Sequence, residues 1–202
     1  MISISIKSDI EKALKKLNDV QKKQVPFAVA KGLTLTAQQV KAEEEDQLKR
    51  DTDRPIPFTQ RAFYVLRATK ASPVAVIGIK DIQGGYLSNL VEGGTRKPKR
   101  KALIAPADIK LNTYGNIPKN KIKALMRRSD TFTGTIGRTS GIWQHVGKNG
   151  KPKRQVKLLV RFKDEQRYKR QFDFYGAARR VVALRLTGNI DAALNEALRT
   201  AR

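Results

Sequence analysis

Cysteine is absent from the 202 residues, which excludes disulfides, thiol nucleophiles and thiolate metal sites. Histidine occurs once, at His145, so a Ser-His-acid triad would have to be built on that one side chain, and no serine sits in a nucleophile elbow. Acids are scarce, with 18 Asp and Glu against 42 Lys and Arg, a formal charge of +24. Aromatic residues make up 6% of the chain, a thin supply for stacking on nucleic-acid bases. No apolar run approaches the roughly 18 to 20 residues of a membrane-spanning helix. The opening stretch Met1-Ile-Ser-Ile-Ser-Ile-Lys7 alternates apolar and polar residues where a secretion signal needs a continuous apolar core. These absences predict a chain that is made and used in a cytoplasm and has no membrane partner. Paired glycines occur at Gly84-Gly85 and Gly93-Gly94, but neither pair leads into the Gly-Lys-Ser/Thr of a phosphate cradle, so no nucleotide cofactor or small-molecule substrate is expected.

What is present is length and positive charge. The chain is long enough to bury a real core and reads as one domain, 1–202, with an irregular extended insertion at about 95–140. Self-repulsion at +24 favours an anionic partner or an assembly that spreads the charge. Nucleic acid is the first such partner, an acidic protein surface the second and a membrane surface the third.

Ile2, Ile4 and Ile6 share one face of an extended segment. Ser8 and Glu11 have the spacing of a capping box, opening a helix over 9–23. Pro26 suits the first position of a second helix, with Phe27, Ala30, Leu33, Ala37, Val40 and Leu48 as its buried stripe. The prolines of Asp51-Thr-Asp-Arg-Pro-Ile-Pro-Phe58 make that stretch a non-helical connector. Two runs rich in β-branched and aromatic residues, 62–68 and 73–80, read as adjacent antiparallel strands. Gly84-Gly85 reads as a hinge before a short helix over 86–92, with Gly93-Gly94 as its stop. Residues 95–140 read as long loops with a helical turn or two at 119–128. The runs 141–146 and 154–162 flank an Asn-Gly turn and form the clearest β-hairpin. A closing helix over 177–186 breaks at Gly188 and resumes at Ile190. The expected class is α+β, with amphipathic helices on a mainly antiparallel sheet and long irregular basic loops.

The candidate binding residues are the bases. Arg96, Lys97, Lys99, Arg100 and Lys101 form one cluster, Lys148, Lys151, Lys153, Arg154 and Lys157 a second, and Arg167, Lys169 and Arg170 a third. Such clusters hold phosphates through counterion release and specify no sequence. Glu43, Glu44, Glu45 and Asp46 form an acidic patch that could dock a basic patch on a neighbouring copy. For metal-dependent nuclease chemistry, which needs converging carboxylates, Asp51, Asp53, Glu92, Asp108, Asp164, Glu165 and Asp173 are available, but they form no motif and serve turns and caps equally well.

Several scattered segments together resemble the minor tail protein Z or tail-completion family of tailed bacteriophages. They are the N-terminal helix pair, Asp53-Arg-Pro-Ile-Pro-Phe58 followed by Phe63-Tyr-Val65, and Leu90-Val-Glu-Gly-Gly-Thr95 with its basic tail. Leu111-Asn-Thr-Tyr-Gly-Asn116, Gly141-Ile-Trp-Gln144 and Tyr168-Lys-Arg-Gln-Phe-Asp-Phe174 continue the pattern. The chain departs from it at Phe172-Asp-Phe174, where the family has a proline. The resemblance implies a non-enzymatic virion protein at the neck or tail tube. It also implies a ring of copies, hexameric in the family, that meets adjacent tail proteins and possible genomic DNA in the channel. The alternative is a general nucleic-acid-binding basic protein that works through phosphate contacts.

Overall fold

The computed structural model describes residues 2–7, 19–98, 101–147 and 155–200. Within them the class is α+β, with antiparallel sheets and a helix packed on sheet, as expected. Contacts divide the chain into two compact units, 1–92 with 170–202, and 93–169.

The first unit is built on a three-stranded antiparallel sheet, β1 (Ser3–Lys7), β3 (Val74–Ile79) and β2 (Phe63–Leu66), in that order. Over it lies α1 (Asp19–Asp51), which also packs along α5 (Phe174–Thr200). The reason α1 buries one face is its spacing. Val25, Val29, Leu33, Ala37 and Val40 recur every three or four residues and Leu48 follows two turns later, all of them buried, and they join Ile2, Ile6, Ala75, Ile77 and Ile79 in one core. Phe63, Phe172 and Phe174 close that core, with ring centroids 6.0 to 6.1 Å apart. Two short helices complete the unit, α2 (Pro57–Gln60), with Pro57 at its start, and α3 (Asp81–Val91), which turns Leu87 and Val91 into the core.

Several helix boundaries differ from expectation. Pro26 does not start a helix; it lies inside α1, where its missing N–H leaves the Lys22 carbonyl without its helical donor. Burial of Val25, Ala28 and Val29 around it outweighs that loss. Gly84 and Gly85 are helical residues within α3, not a hinge, and α5 runs unbroken through Gly188. Gly93 and Gly94 do end α3, with φ of 74° and 110°, the left-handed region that favours glycine. The capping box at Ser8 and Glu11, and most of the first expected helix, lie outside the described residues.

At Gly32 a Cβ would sit 2.8 Å from the Cα of Ile190, so glycine sets the approach of α1 and α5. Polar contacts flank this crossing: the Asn189 amide nitrogen donates to Thr36 Oγ1 and Gln39 Oε1, both at 2.9 Å, and Lys31 pairs with Glu196 at 2.7 Å.

The second unit holds a four-stranded antiparallel sheet in the order β5 (Leu103–Pro106), β8 (Gln155–Lys163), β7 (Thr139–Val146), β6 (Thr131–Ile136). The hairpin of β7 and β8 has the expected pairing, while its turn lies outside the described residues. Helix α4 (Lys121–Met126) packs at this sheet, and Leu125, Ile142, Leu159 and Val160 form a small core with Ile109, Ile122 and Phe162 against it. A separate ribbon pairs β4 (Gly94–Arg96) with β9 (Gln166–Tyr168). The stretch 95–140, expected as long loops with a helical turn or two at 119–128, has that helix as α4 and carries β4, β5 and β6 as well. Most of these strands find their partners far along the chain, as with Gly94 opposite Tyr168. Local patterning carries no trace of such a pairing.

Candidate functional site

The β4–β9 ribbon brings together two of the basic clusters that are far apart in sequence. Thr95 pairs with Arg167 and Arg96 with Gln166, so Arg96 and Tyr168 share one face of the ribbon and Arg167 points to the other. Lys97, Lys101, Arg167 and Lys169 are exposed, and Arg96 is half-buried. Lys163 Nζ donates to Gln166 Oε1 at 2.7 Å, tying β8 to β9. Arg170 is engaged elsewhere, at 2.7 Å from Asp173. The remaining predicted bases, Lys99, Arg100, Lys148, Lys151, Lys153 and Arg154, lie outside the described residues. Lys157 pairs with Asp108 at 2.5 Å.

The distribution of charge is the larger finding. Residues 93–169 contain 21 Lys and Arg against 4 acids, a formal +17, whereas the other unit has 21 against 14, a formal +7. Most of the chain's net positive charge therefore belongs to the smaller unit, because it has few acids.

Of the expected acidic patch, Glu43 and Glu45 are half-buried and Asp46 is exposed, but Glu44 is not at the surface. Glu44 is fully buried, on the apolar stripe of α1 between Val40 and Leu48. Its neighbours are already paired along the same helix, Glu43 with Arg50 at 2.7 Å, Glu45 with Lys41 at 3.5 Å and Asp46 with Lys49 at 3.1 Å. Neither Glu44 oxygen has a hydrogen bond of acceptable geometry. Burial pushes its carboxyl up to about 9, the nearby charges of Glu43 and Asp173 add to that, and Arg180 pulls the other way without compensating. Glu44 is therefore protonated at neutral pH. Its place at i+4 from Val40 and i−4 from Leu48 is the sequence signal that marks it as buried.

The carboxylates considered for metal chemistry have structural work. Asp51 accepts from Gln47 at 3.1 Å, and Asp53 makes two 2.9 Å bonds to Arg54, whose guanidinium holds the Asp53 carboxyl below its usual range. Asp173 accepts from the Gly176 amide at 3.2 Å at the start of α5, and an arginine flanks it on each side, Arg170 and, at 3.6 Å, Arg180. Among the described residues no three His, Asp or Glu gather as metal ligands. His145 stacks on Phe132, with ring centroids 4.8 Å apart. Near it, Asp130 receives Arg128 in a two-pronged bond and Gln144 at 2.9 Å, and the Arg128 guanidinium, then Gln144, holds the carboxyl down to about 2.

The first unit exposes several large apolar side chains, Leu66, Leu184 and Leu198 among them, and two pairs of them border grooves. Phe27 and Leu35 border a groove of about 400 Å³ that also includes Arg67 and Lys70, with the Lys70 ammonium 5.4 Å from the Phe27 ring centre. Phe58 and Ile82, 48% and 73% exposed, flank a second groove beside Arg61 and Lys80.

No helix among the described residues is long and apolar enough to cross a membrane. No family model, curated protein or solved structure matches this chain.

Proposed function

We propose that this protein is a non-enzymatic virion component of a tailed phage. In this reading it assembles as a ring at the neck or tail tube, through the first unit, and presents the second unit to an anionic partner. The observation that carries the reading is the pair of unlike apolar patches, Phe27 with Leu35 and Phe58 with Ile82, on one body. Head-to-tail association needs two different, complementary surfaces on each copy, and a rotation that closes gives a ring. The +17 carried by 93–169 supports the second half of the reading. Crowding several such units around one axis is unfavourable unless genomic DNA or an acidic neighbouring ring supplies counter-charge. The segments that resemble tail-completion proteins support the location.

Native mass measurement of the purified chain, alone and with neighbouring tail proteins, tests this proposal, together with detection of the chain in purified particles. A closed oligomer that is retained in particles is expected. A monomer under every condition that never enters particles would remove the reading. It would leave the alternative, a general nucleic-acid-binding protein, which the charge of 93–169 equally favours and which a steep loss of duplex binding with salt would identify.

A further inference from the structure

Among the described residues of the unit, one face of the four-stranded sheet is packed by α4. Ile142 and Val160 face α4, so by the alternation of strands their neighbours face the opposite way. The register places Phe132 opposite Trp143, Trp143 opposite Leu158, His145 opposite Val156 and Gly141 opposite Arg161 on that other face. A bulge at Leu159 keeps this division. It inserts one residue between the partners of Ile142 and Trp143, so Leu159 and Val160 both enter the core while Leu158 and Arg161 stay outside.

Three rings lie on this outer face. Trp143 Nε1 donates to the Gly134 carbonyl on the adjacent strand at 3.1 Å, which lays the indole across the strands instead of upright. Phe132 lies next to it, and His145 tilts 32° against Phe132. Gly134 and Gly141 are opposite one another and contribute no side chains between the rings. Trp143 and Phe132 are half-buried and His145 is exposed, and α4 is the only helix of the unit that packs at the sheet among the described residues. Arg161, opposite Gly141 on this face, is exposed, as is Arg138 at the β6–β7 turn.

We infer that this face binds single-stranded nucleic acid, with bases stacked on Trp143 and Phe132 and the phosphate backbone held by Arg161 and the surrounding bases of the unit. Flat rings lying on a sheet, in a body with a formal +17, match the two requirements of such a ligand: a π-face for each base and positive charge along the backbone. Duplex DNA hides its base faces in its own stack and cannot use the rings. A second copy of this face is disfavoured by like charge. The inference goes beyond the assembly reading, because it concerns strands of the second unit and holds for a monomer as for a ring.

The chain has a single tryptophan, so the site reports on itself. Full-length protein is titrated with oligothymidylate of about 12 nucleotides, within the site sizes known for single-strand binders, while Trp emission is followed. Anisotropy of the labelled oligonucleotide gives affinities for Trp143→Leu and Phe132→Leu, which keep an apolar strand residue. Saturable quenching is expected, with about tenfold weaker binding for Trp143→Leu and a smaller loss for Phe132→Leu. Trp143→Phe should retain most of the affinity, and Arg161→Gln should lower it and flatten its salt dependence. Unfolding curves of the variants separate lost stacking from lost fold. If heparin or polyglutamate of equal charge competes as well as oligothymidylate and folded Trp143→Leu binds unchanged, the rings play no part and the inference is overturned. An absence of any binding by oligothymidylate at low salt overturns it as well. Neither result bears on the oligomeric mass, so the ring proposal stands or falls separately.

Discussion

The unit formed by 1–92 and 170–202 and the unit formed by 93–169 are made from the same kinds of residue in opposite proportion. The first buries a continuous apolar stripe of α1 against a sheet, and three phenylalanines seal it. The second has four buried core side chains among the described residues and a formal +17. Burial of apolar area is what stabilises a fold, while charge density of one sign opposes compaction and attracts partners. On the proposed reading, the larger unit supplies stability and self-contact and the smaller one meets an anionic ligand. One buried acid in the large unit and one half-buried acid in the small unit show the same difference in detail. Glu44 is stranded in apolar surroundings, whereas Asp130 is surrounded by donors.

The largest test of this contrast is Phe172→Ala. Removing a fully buried ring from the three-phenylalanine cluster should cost about 3–5 kcal/mol in denaturant titration, whereas Val160→Ala in the small core should cost roughly half as much or less. Equal losses would mean that the two cores differ less than their packing indicates.

Next in size is Glu44. Its folded pKa lies above the usual 4.5, so its contribution to stability is complete below about 4.5 and is lost as pH rises toward about 9. Glu44→Gln should therefore raise stability near pH 8 by about 1–3 kcal/mol and remove that alkaline decline; a variant with an unchanged pH profile would show that the carboxyl is not desolvated.

Gly176→Ala should be somewhat smaller. Its Cβ would lie 1.9 Å from Asp173 Oδ2 and displace the carboxylate that caps α5. A loss of about 1–2 kcal/mol is expected by thermal unfolding, and no loss would show that the cap is dispensable.

The smallest effect belongs to Asp130, whose folded pKa is depressed from the usual 3.8 to about 2. Its contribution is present above about 3.8 and is lost as pH falls through about 2, the opposite direction to Glu44. Asp130→Asn should weaken the protection of β6 and β7 amides in hydrogen exchange slightly at neutral pH, and the difference from wild type should vanish as pH falls through about 2.

How much of this was legible in the sequence depended on how far apart the cooperating residues are. Strands β2 and β3 and the β7–β8 pair were readable, because alternation and the Asn-Gly turn are local signals. Strand β6 falls in the stretch that reads as long loops, although its threonines favour strands and its partner lies just across a tight turn. Pro26, Gly84-Gly85 and Gly188 read as breaks, but the helices run through all three: burial of Val25 and Val29 beside Pro26 and of Gln83 and Leu87 around Gly84-Gly85 outweighs local propensity, while Gly188 lies on an exposed part of α5. The Phe172-Asp-Phe174 departure from the tail-completion pattern resolves into two core rings around a helix cap. In the candidate sites, the basic clusters were visible as composition, but the joining of Arg96 and Arg167 in one ribbon and the gathering of Phe132, Trp143 and His145 on one sheet face required the register. An overall aromatic content of 6% concealed that local concentration.

The most direct test of the account is the native mass of two complementary variants. Phe27→Ser with Leu35→Ser disables one patch, and Phe58→Ser with Ile82→Ser disables the other, on surfaces where both positions are at least a third exposed. If the patches meet head to tail, each variant alone is monomeric, and an equimolar mixture stops at a heterodimer, since only one intact interface can form between them. Wild-type protein continues to a closed ring. A mixture that still forms the wild-type oligomer, or variants that assemble unaided, would contradict the account.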